Sequence, residues 1–433
     1  MNHELTKDFI NVHLNDDVNK LALSKFPDDI DKQFVIQQIQ ARQLLKKKLP
    51  FWSENDELLF PKRLSLEQCS SELTAKYKRT ISRNDEEAEC NISENQYRSM
   101  GEKRTLIDLT GGMGVDTSFL SDNFDETIYV ESQTGLCELA EHNFKVLKKN
   151  IKVVNAKAED FLTQCEEVDC IYLDPARRDE YGRKMVSLHD CSPDVAELQD
   201  LLFEKTNTVI VKLSPMLDID IIKKELKNIK EIHVVAVRNE CKEVLVLCQR
   251  TTDNGQQISS KACSQLITID LRENWNFSFN ENEEQNAIPT FADEIGKYLY
   301  EPGVACMKAA PFKLLSQRFN IKKLHRNSHL YTSDELVTDF PGRIFEVINV
   351  IPFNKKTKKT LMQTLTQTQS DEHSATWRLG DLVTQKVSIA VRNFPLSAEA
   401  LRKHLGFKDG DDFYIFGTTM KGEKKMLVLG SKC

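Results

Sequence analysis

Short apolar, β-branched runs alternate with amphipathic stretches over the middle of the chain. The runs "TLIDLT", "ETIYVE", "IKVVNA", "DCIYLD", "TVIVKLS", "EIHVVAV" and "EVLVLC" predict strands buried on both faces. Between most of them lie helical patterns such as "GLCELAEHNFKVLKKN" and "DIDIIKKELKNI". That alternation gives a Rossmann-like α/β fold, a doubly wound, mainly parallel sheet of about seven strands. The last two runs are separated only by "RNECK", which allows a hairpin and one antiparallel strand at the sheet edge.

The flanks differ in pattern, and four domains follow: an N-terminal helical region (1–95), the Rossmann-like domain (96–250), and two small α+β modules (251–335 and 336–433). In "DKQFVIQQIQARQLLKKKLPFW", Val35, Ile39, Leu45 and Leu49 fall on one side of a helix, Phe34 lies at its margin, and the pattern stops at Pro50. "LSLEQCSSELTAKYKRT" offers Ser70 or Ser71 as a helix cap, and "SRNDEEAECNISENQ" reads as a flexible surface link. Beyond 250 come strand-like "LITIDL" and a helix around "FADEIGKYLY". A final segment follows, with strands "RIFEVINVI", "KVSIAVRNF", "DFYIFGTT" and "KKMLVLG" and helices "NKKTKKTLMQTLTQ" and "SAEALRKHLG".

Composition narrows the function classes. With 40% hydrophobic and 29% charged residues, the 433-residue chain has ample material for packed cores. A net charge of -7 does not favour non-specific nucleic-acid binding, although a local basic face remains open. The 11 cysteines are scattered without a CxxC pair, which suits buried thiols in a reducing cytoplasm rather than a disulfide framework. "MNHELTKDFINVHLNDDVNK" is too acidic for a signal peptide, and no apolar run approaches membrane-helix length. Histidines and cysteines show no metal-ligand spacing, and His189 near Cys191 in "SLHDCSP" reads as a loop. The expectation is a cytoplasmic protein without membrane or metal.

The chemistry concentrates in "LIDLTGGMGVDTSFL", an apolar run, a glycine-rich turn and the start of a helix. Gly112 and Gly114 match two places of the dinucleotide fingerprint G-x-G-x-x-G, but Thr117 stands at the third. Acids then close successive strands: Asp108, Glu131, Glu159 with Asp160, and Asp174. Ligands of open α/β sheets sit outside the carboxyl ends of the strands, where these acids converge. A carboxylate after the second strand can accept both hydroxyls of a ribose, and one after the third can accept from an adenine amino group.

"DLTGGMGVD", "VE", "AED" and "DPAR" resemble, in order and spacing, the motifs of class I S-adenosylmethionine-dependent methyltransferases. The whole chain, with "LEQCSSELTAKYK" upstream and "VSIAVRNFPLSAEALRKHLG" near the end, is similar to bacterial methyltransferase-like proteins carrying a ferredoxin-like module and a THUMP-like C-terminal domain. The resemblance implies S-adenosyl-L-methionine as cofactor. Its methionine part would approach the backbone of Gly111, Gly112 and Gly114, with Thr110 and Asp116 in the same loop. Asp108 would sit near its amino end, Glu131 on the ribose, and Glu159 or Asp160 near the adenine. Ser70, Ser71 and Thr74 would border it from the preceding helix, an N-cap being the other reading for the serines.

The stretch Asp174, Pro175, Ala176, Arg177 matches only the first half of the [DNS]-P-P-[YFW] loop of amino-group methyltransferases. Loss of the aromatic residue speaks against methylation of a stacked base amine. Arg177 and Arg178 could instead hold phosphate or stack on a base, or simply pair with nearby carboxylates. Pyrimidine C5 methyltransferases need a cysteine after the fifth strand, where Leu213 and Ser214 stand here.

In related enzymes the C-terminal modules are associated with RNA, and "KKTKK" (355–359) and "FNIKKLHRNSH" (319–329) could position a phosphate backbone. Tyr331, Phe353 and Trp377 are candidates for stacking on bases. The resemblance thus implies in-line methyl transfer to RNA without a covalent enzyme intermediate. A small-molecule or protein acceptor, an RNA-binding protein retaining the fold without turnover, and a dehydrogenase stay open.

Overall fold

The computed structural model describes residues 3–83, 103–177, 187–250, 252–253, 256–257, 264–355, 357–361 and 386–433. The chain divides into two compact units, Met1–Ile232 with Glu243–Ala262, and His233–Lys242 with Cys263–Cys433.

In the first unit, α1 (Lys32–Leu45) is capped by Asp31, whose side chain accepts the Phe34 N–H at 3.0 Å. Val35, Ile39 and Leu45 are buried together with Leu49, as their spacing requires. Pro50 begins a short helix, Pro50–Glu54, because its missing N–H costs nothing at a first helical position. The buried Arg42 donates to the carbonyls of Ser53, Asn55, Asp56 and Leu58 and ties that return segment to α1. Next comes α2 (Glu72–Ile81), closed by a reciprocal box in which Ser71 and Thr74 each satisfy the other's backbone N–H.

All seven expected strands form: β1 (Thr105–Asp108), β2 (Glu126–Glu131), β3 (Ile151–Asn155), β4 (Cys170–Leu173), β5 (Thr208–Leu213), β6 (Ile229–Val237) and β7 (Glu240–Gln249). Their order is β6-β7-β5-β4-β1-β2-β3. The pairs β1/β2, β2/β3, β1/β4 and β4/β5 are parallel, and β7 runs antiparallel to β5. The helices α3 (Val115–Leu120), α4 (Thr134–Val146), α5 (Ala158–Gln164), α6 (Val195–Lys205) and α7 (Ile219–Glu225) make the crossovers. The antiparallel strand is not at the edge as expected: β7 lies between β5 and β6. Its run Val244–Cys248 is wholly buried and takes the inner place. Arg238 and Asn239, both at positive φ (54° and 57°), make the tight turn before it. The strand order reverses between β1 and β4, which sets the switch point beside the glycine loop.

In the second unit, β8 (Gln265–Asp270) and β9 (Trp275–Asn280) form a hairpin. A further sheet is built from β10 (Tyr298–Pro302), β11 (Lys322–Lys323), β12 (Tyr331–Ser333), β13 (Gly342–Pro352), β14 (Lys386–Arg392), β15 (Lys408–Met420) and β16 (Lys424–Lys432), in the order β11-β12-β10-β13-β16-β15-β14. The α+β stretches on either side of residue 335 share this sheet, since β13 pairs with both β10 and β16. Parallel β14 and β15 are joined through α8 (Ala398–Leu405), which ends on left-handed Gly406.

The helix expected around "FADEIGKYLY" does not form. Residues 292–297 are irregular and Tyr298–Pro302 is a strand. Gly296 lies against the backbone of Ser333, where a Cβ would come within 2.6 Å of its carbonyl oxygen, and Tyr-Leu-Tyr favours a sheet. The link after Arg83, residues 356 and 362–367 of "NKKTKKTLMQTLTQ", Arg178 and Trp377 lie outside the described residues. The nine described cysteines are all free, and among the described residues no helix is long and apolar enough to cross a membrane.

Candidate functional site

The loop after β1 is held from both sides. Gly112 and Gly114 adopt left-handed φ values of 54° and 78°, which glycine takes without strain. Gly111 has no room for a side chain, because a Cβ there would lie 2.1 Å from the Tyr129 ring. The Tyr129 hydroxyl in turn donates to the Gly112 carbonyl at 2.6 Å. Thr110 donates its N–H to Asp108 (3.0 Å) and accepts the Asp174 N–H on its hydroxyl (2.6 Å), so one residue ties the ends of β1 and β4 together.

The acids divide by what satisfies them. Asp108 is fully buried; it accepts from the Thr110 N–H and, at 2.5 Å, from the Thr117 hydroxyl. Burial pushes its carboxyl up to about 7 despite these two donors. The fingerprint's third glycine is thus replaced by a threonine with a task, and Asp108 faces the loop rather than an open surface. Glu131, half-buried at the end of β2, accepts from the N–H groups of Gly112 (3.0 Å) and Gln133 (2.8 Å) and from Ser132. It keeps an accessible edge beside the glycine loop. Glu159 and Asp160 occupy the first turn of α5 after β3, half-buried and exposed respectively.

The other side of the switch point holds a cluster of charges. Leu173 of β4 pairs with Val211 of β5, so the next residues, Asp174 and Lys212, emerge side by side and form an ion pair. Behind them Lys78, from α2, lies between the Glu243 carboxylate (2.8 Å) and Asp116 (3.2 Å), and donates to Ser70 at 3.0 Å. Asp116 also accepts from Ser70 (2.7 Å) and from the Tyr172 hydroxyl (2.8 Å). Side-chain exposure rises from 0% at Lys78 and 4% at Glu243, through 11% at Asp116 and 12% at Lys212, to 36% at Asp174. Asp174 is therefore the most open of the five, with Lys212 paired to it. Burial pushes Asp116 up, but Lys78 and Lys212 outweigh it and hold that carboxyl below its usual range. Burial raises Glu243 against the same two lysines. Burial would lower Lys212, but Asp174, Asp116 and Glu243 hold it well above the usual lysine range.

Sequence reasoning named Ser70, Asp116 and Asp174 but missed Lys78, Lys212 and Glu243. One signal was present: a single lysine inside the apolar run "TVIVKLS". Ser71 and Thr74 are brought to the same helix, where both side chains are spent on the cap. Ala176 and Arg177 pair with Ser192 and Cys191 in a two-stranded ladder just beyond Asp174 and Pro175. His189 lies in a short 3-10 turn and pairs through Nδ1 with Asp194 at 2.9 Å, with Glu197 close by.

Part of the expected nucleic-acid face turns inward. Tyr331 is buried and donates to the Phe312 carbonyl, so it presents no free ring for stacking. Lys323 is buried against the Phe312 and Tyr331 rings, and desolvation lowers it to about 8. Phe353 packs edge-on against Phe394.

A family model for a ferredoxin-like domain matches residues 298–341, and one for a THUMP domain-like fold matches 377–432. Curated proteins give no match. Among solved structures, a protein from Porphyromonas gingivalis W83, provisionally named a methyltransferase, is 31% identical over 99% of this chain and 98% of its own, with a TM-score of 0.79. A provisionally named methyltransferase complexed with SAH is 14% identical over 28% of this chain and 34% of its own (TM-score 0.24). A provisionally named RNA methyltransferase from Pyrococcus horikoshii is 18% identical over 26% and 50% (TM-score 0.20). These two add no argument. Strand order, switch point and glycine loop define the class I methyltransferase fold. The chain belongs to the family of the Porphyromonas gingivalis protein, methyltransferase-like proteins with a ferredoxin-like and a THUMP-like domain.

Proposed function

We propose that the protein is an S-adenosyl-L-methionine-dependent methyltransferase that acts on RNA by direct in-line transfer. The observation that carries this reading is the pairing of a left-handed glycine loop with Glu131, whose carboxylate is fixed by the Gly112 N–H at the end of β2. There it can accept two ribose hydroxyls while the glycine backbone lies against the rest of the ligand. The charge cluster fits the same cofactor. Lys78 and Lys212 face Asp116, Glu243 and Asp174, which leaves one negative charge for a cationic sulfonium to balance. When bound, the cofactor supplies an activated methyl group; the protein holds donor and acceptor in line and excludes water. On this reading Glu159 or Asp160, in the first turn of α5, would serve the adenine.

The test is calorimetric titration with S-adenosylhomocysteine, with NAD as the control ligand. Micromolar binding that is lost in Glu131→Ala and absent for NAD is the expected result. Equal affinity in the variant would sink the ribose assignment, and preference for NAD would revive a dehydrogenase. Cofactor binding without transfer from a labelled donor to any RNA would instead favour an RNA-binding protein that keeps the fold.

A further inference from the structure

We infer that the methyl acceptor is an aliphatic hydroxyl, the ribose 2′-hydroxyl of an RNA, received by Lys212 and Asp174 acting as a pair. This rests on the methyltransferase reading above and narrows it to one atom.

The argument starts from what the outer pair can donate and accept. An ammonium only donates, and an ionised carboxylate only accepts. A base amino group offers hydrogens and one weak lone pair, and that lone pair must attack the methyl group. Beside Lys212 it would face a donor that its single lone pair cannot satisfy while that pair attacks the methyl group. A hydroxyl oxygen has two lone pairs and one hydrogen. It can accept from Lys212, give its hydrogen to Asp174 and still attack with the second lone pair.

A carbon acceptor fits worse. The end of β5 carries Leu213 and Ser214 where a thiol would be needed. Cys69, close enough to feel Lys212 and Asp116, donates to the Leu66 carbonyl at 3.2 Å, and burial raises its thiol, so little thiolate is present. Among the acceptors of RNA, the 2′-hydroxyl is the aliphatic alcohol repeated at every nucleotide.

The step balances. The acceptor oxygen forms a bond to the methyl carbon as the carbon–sulfur bond of the donor breaks, and that electron pair leaves on a neutral thioether. The hydroxyl proton passes to the Asp174 carboxylate, and the Lys212 ammonium stabilises the oxygen as it gives that proton up. Lys78, clamped by Glu243 and Asp116, touches no substrate; it is a positioning residue that fixes the charges behind the pair.

The experiment uses the full chain, a labelled methyl donor, and total RNA from cells of the source organism lacking this gene. The product RNA is digested with nuclease or alkali and its nucleosides separated by mass. The expected result is label in 2′-O-methyl nucleosides and in alkali-resistant dinucleotides. Lys212→Met should lower transfer by about 100-fold or more while binding S-adenosylhomocysteine as the parent does, and Lys212→Arg should keep part of the activity. Label in base-methylated nucleosides would overturn the inference and leave the methyltransferase reading standing. No label in RNA, with S-adenosylhomocysteine still bound, would overturn it too. Absence of S-adenosylhomocysteine binding would remove the methyltransferase reading itself, and this inference with it.

Discussion

The carboxylates at the ends of β1 and β2 and those around β4 and β5 meet the same problem, burial of an acid, with different partners. Asp108 and Glu131 are satisfied by neutral donors, the N–H groups of Thr110, Gly112 and Gln133 and the hydroxyls of Thr117 and Ser132. Among the described residues no lysine or arginine pairs with either. Asp116, Glu243 and Asp174 are held by Lys78 and Lys212. Neutral donors leave Asp108 titrating near neutrality, whereas the lysines keep Asp116 ionised. The β1 end therefore responds to pH near neutrality, whereas Asp116 in the lysine-bound cluster does not.

Removing a cation tests that contrast most severely. Lys78→Met would leave Glu243 and Asp116 buried without their paired cation and with Lys212 alone to offset them, a loss of about 3–5 kcal/mol by the usual cost of breaking a buried pair. Urea denaturation should show the loss shrinking from about pH 8 to about pH 5, as the stranded carboxyls take up protons. An equal loss at both would mean that the lysine serves packing alone. Adding Glu243→Gln should recover part of it.

On the neutral side the expected change has the opposite sign. Asp108 holds its proton up to about 7 when folded, against about 4 when unfolded. The stability this group contributes is therefore fully present below about pH 4 and is lost as pH rises through 7. Asp108→Asn, which keeps the neutral shape and can still meet Thr110 and Thr117, should raise stability at pH 8 by up to about 4 kcal/mol. It should also flatten the pH profile across that window. A destabilised variant with an unchanged profile would place the ionised form in the fold.

Gly111→Ala probes the loop's geometry instead of its charge. The new Cβ would meet the buried Tyr129 ring, whose hydroxyl is already bound to Gly112. A cost of about 1–3 kcal/mol is expected for overpacking. S-adenosylhomocysteine binding should vanish with it, and binding that survives would show that this loop does not contact the ligand.

The two sides were also unequally legible in the sequence. Asp108, Glu131 and the glycines are short-range signals: each acid ends an apolar run, and Gly112 and Gly114 sit where the chain must turn with positive φ. The cluster is long-range. Lys78 and Glu243 lie 165 residues apart, and nothing local distinguishes Lys78 from the exposed Lys76 of the same helix. Lys212 showed itself only as a charge inside a buried run. The same limit explains "FADEIGKYLY" and Tyr331, whose fates were set by Ser333 and Phe312, partners far along the chain. Local periodicity sees a residue's own element, and tertiary contacts decide where two elements disagree.

The smallest effect separates two meanings of one residue. Ser71 caps α2, accepting the Thr74 N–H at 3.2 Å while Thr74 accepts the Ser71 N–H. That helix delivers Lys78 to Glu243 and Asp116. As a cap alone, Ser71→Ala should cost about 1 kcal/mol, spread over the whole unit, and leave S-adenosylhomocysteine affinity as it was, because the lysine is anchored by its own ion pairs. As a cofactor contact, the same substitution would lower affinity by more than it lowers stability. Measuring both on one preparation decides the matter. The capping geometry favours the first outcome, since the hydroxyl that would reach a ligand is already committed to the helix.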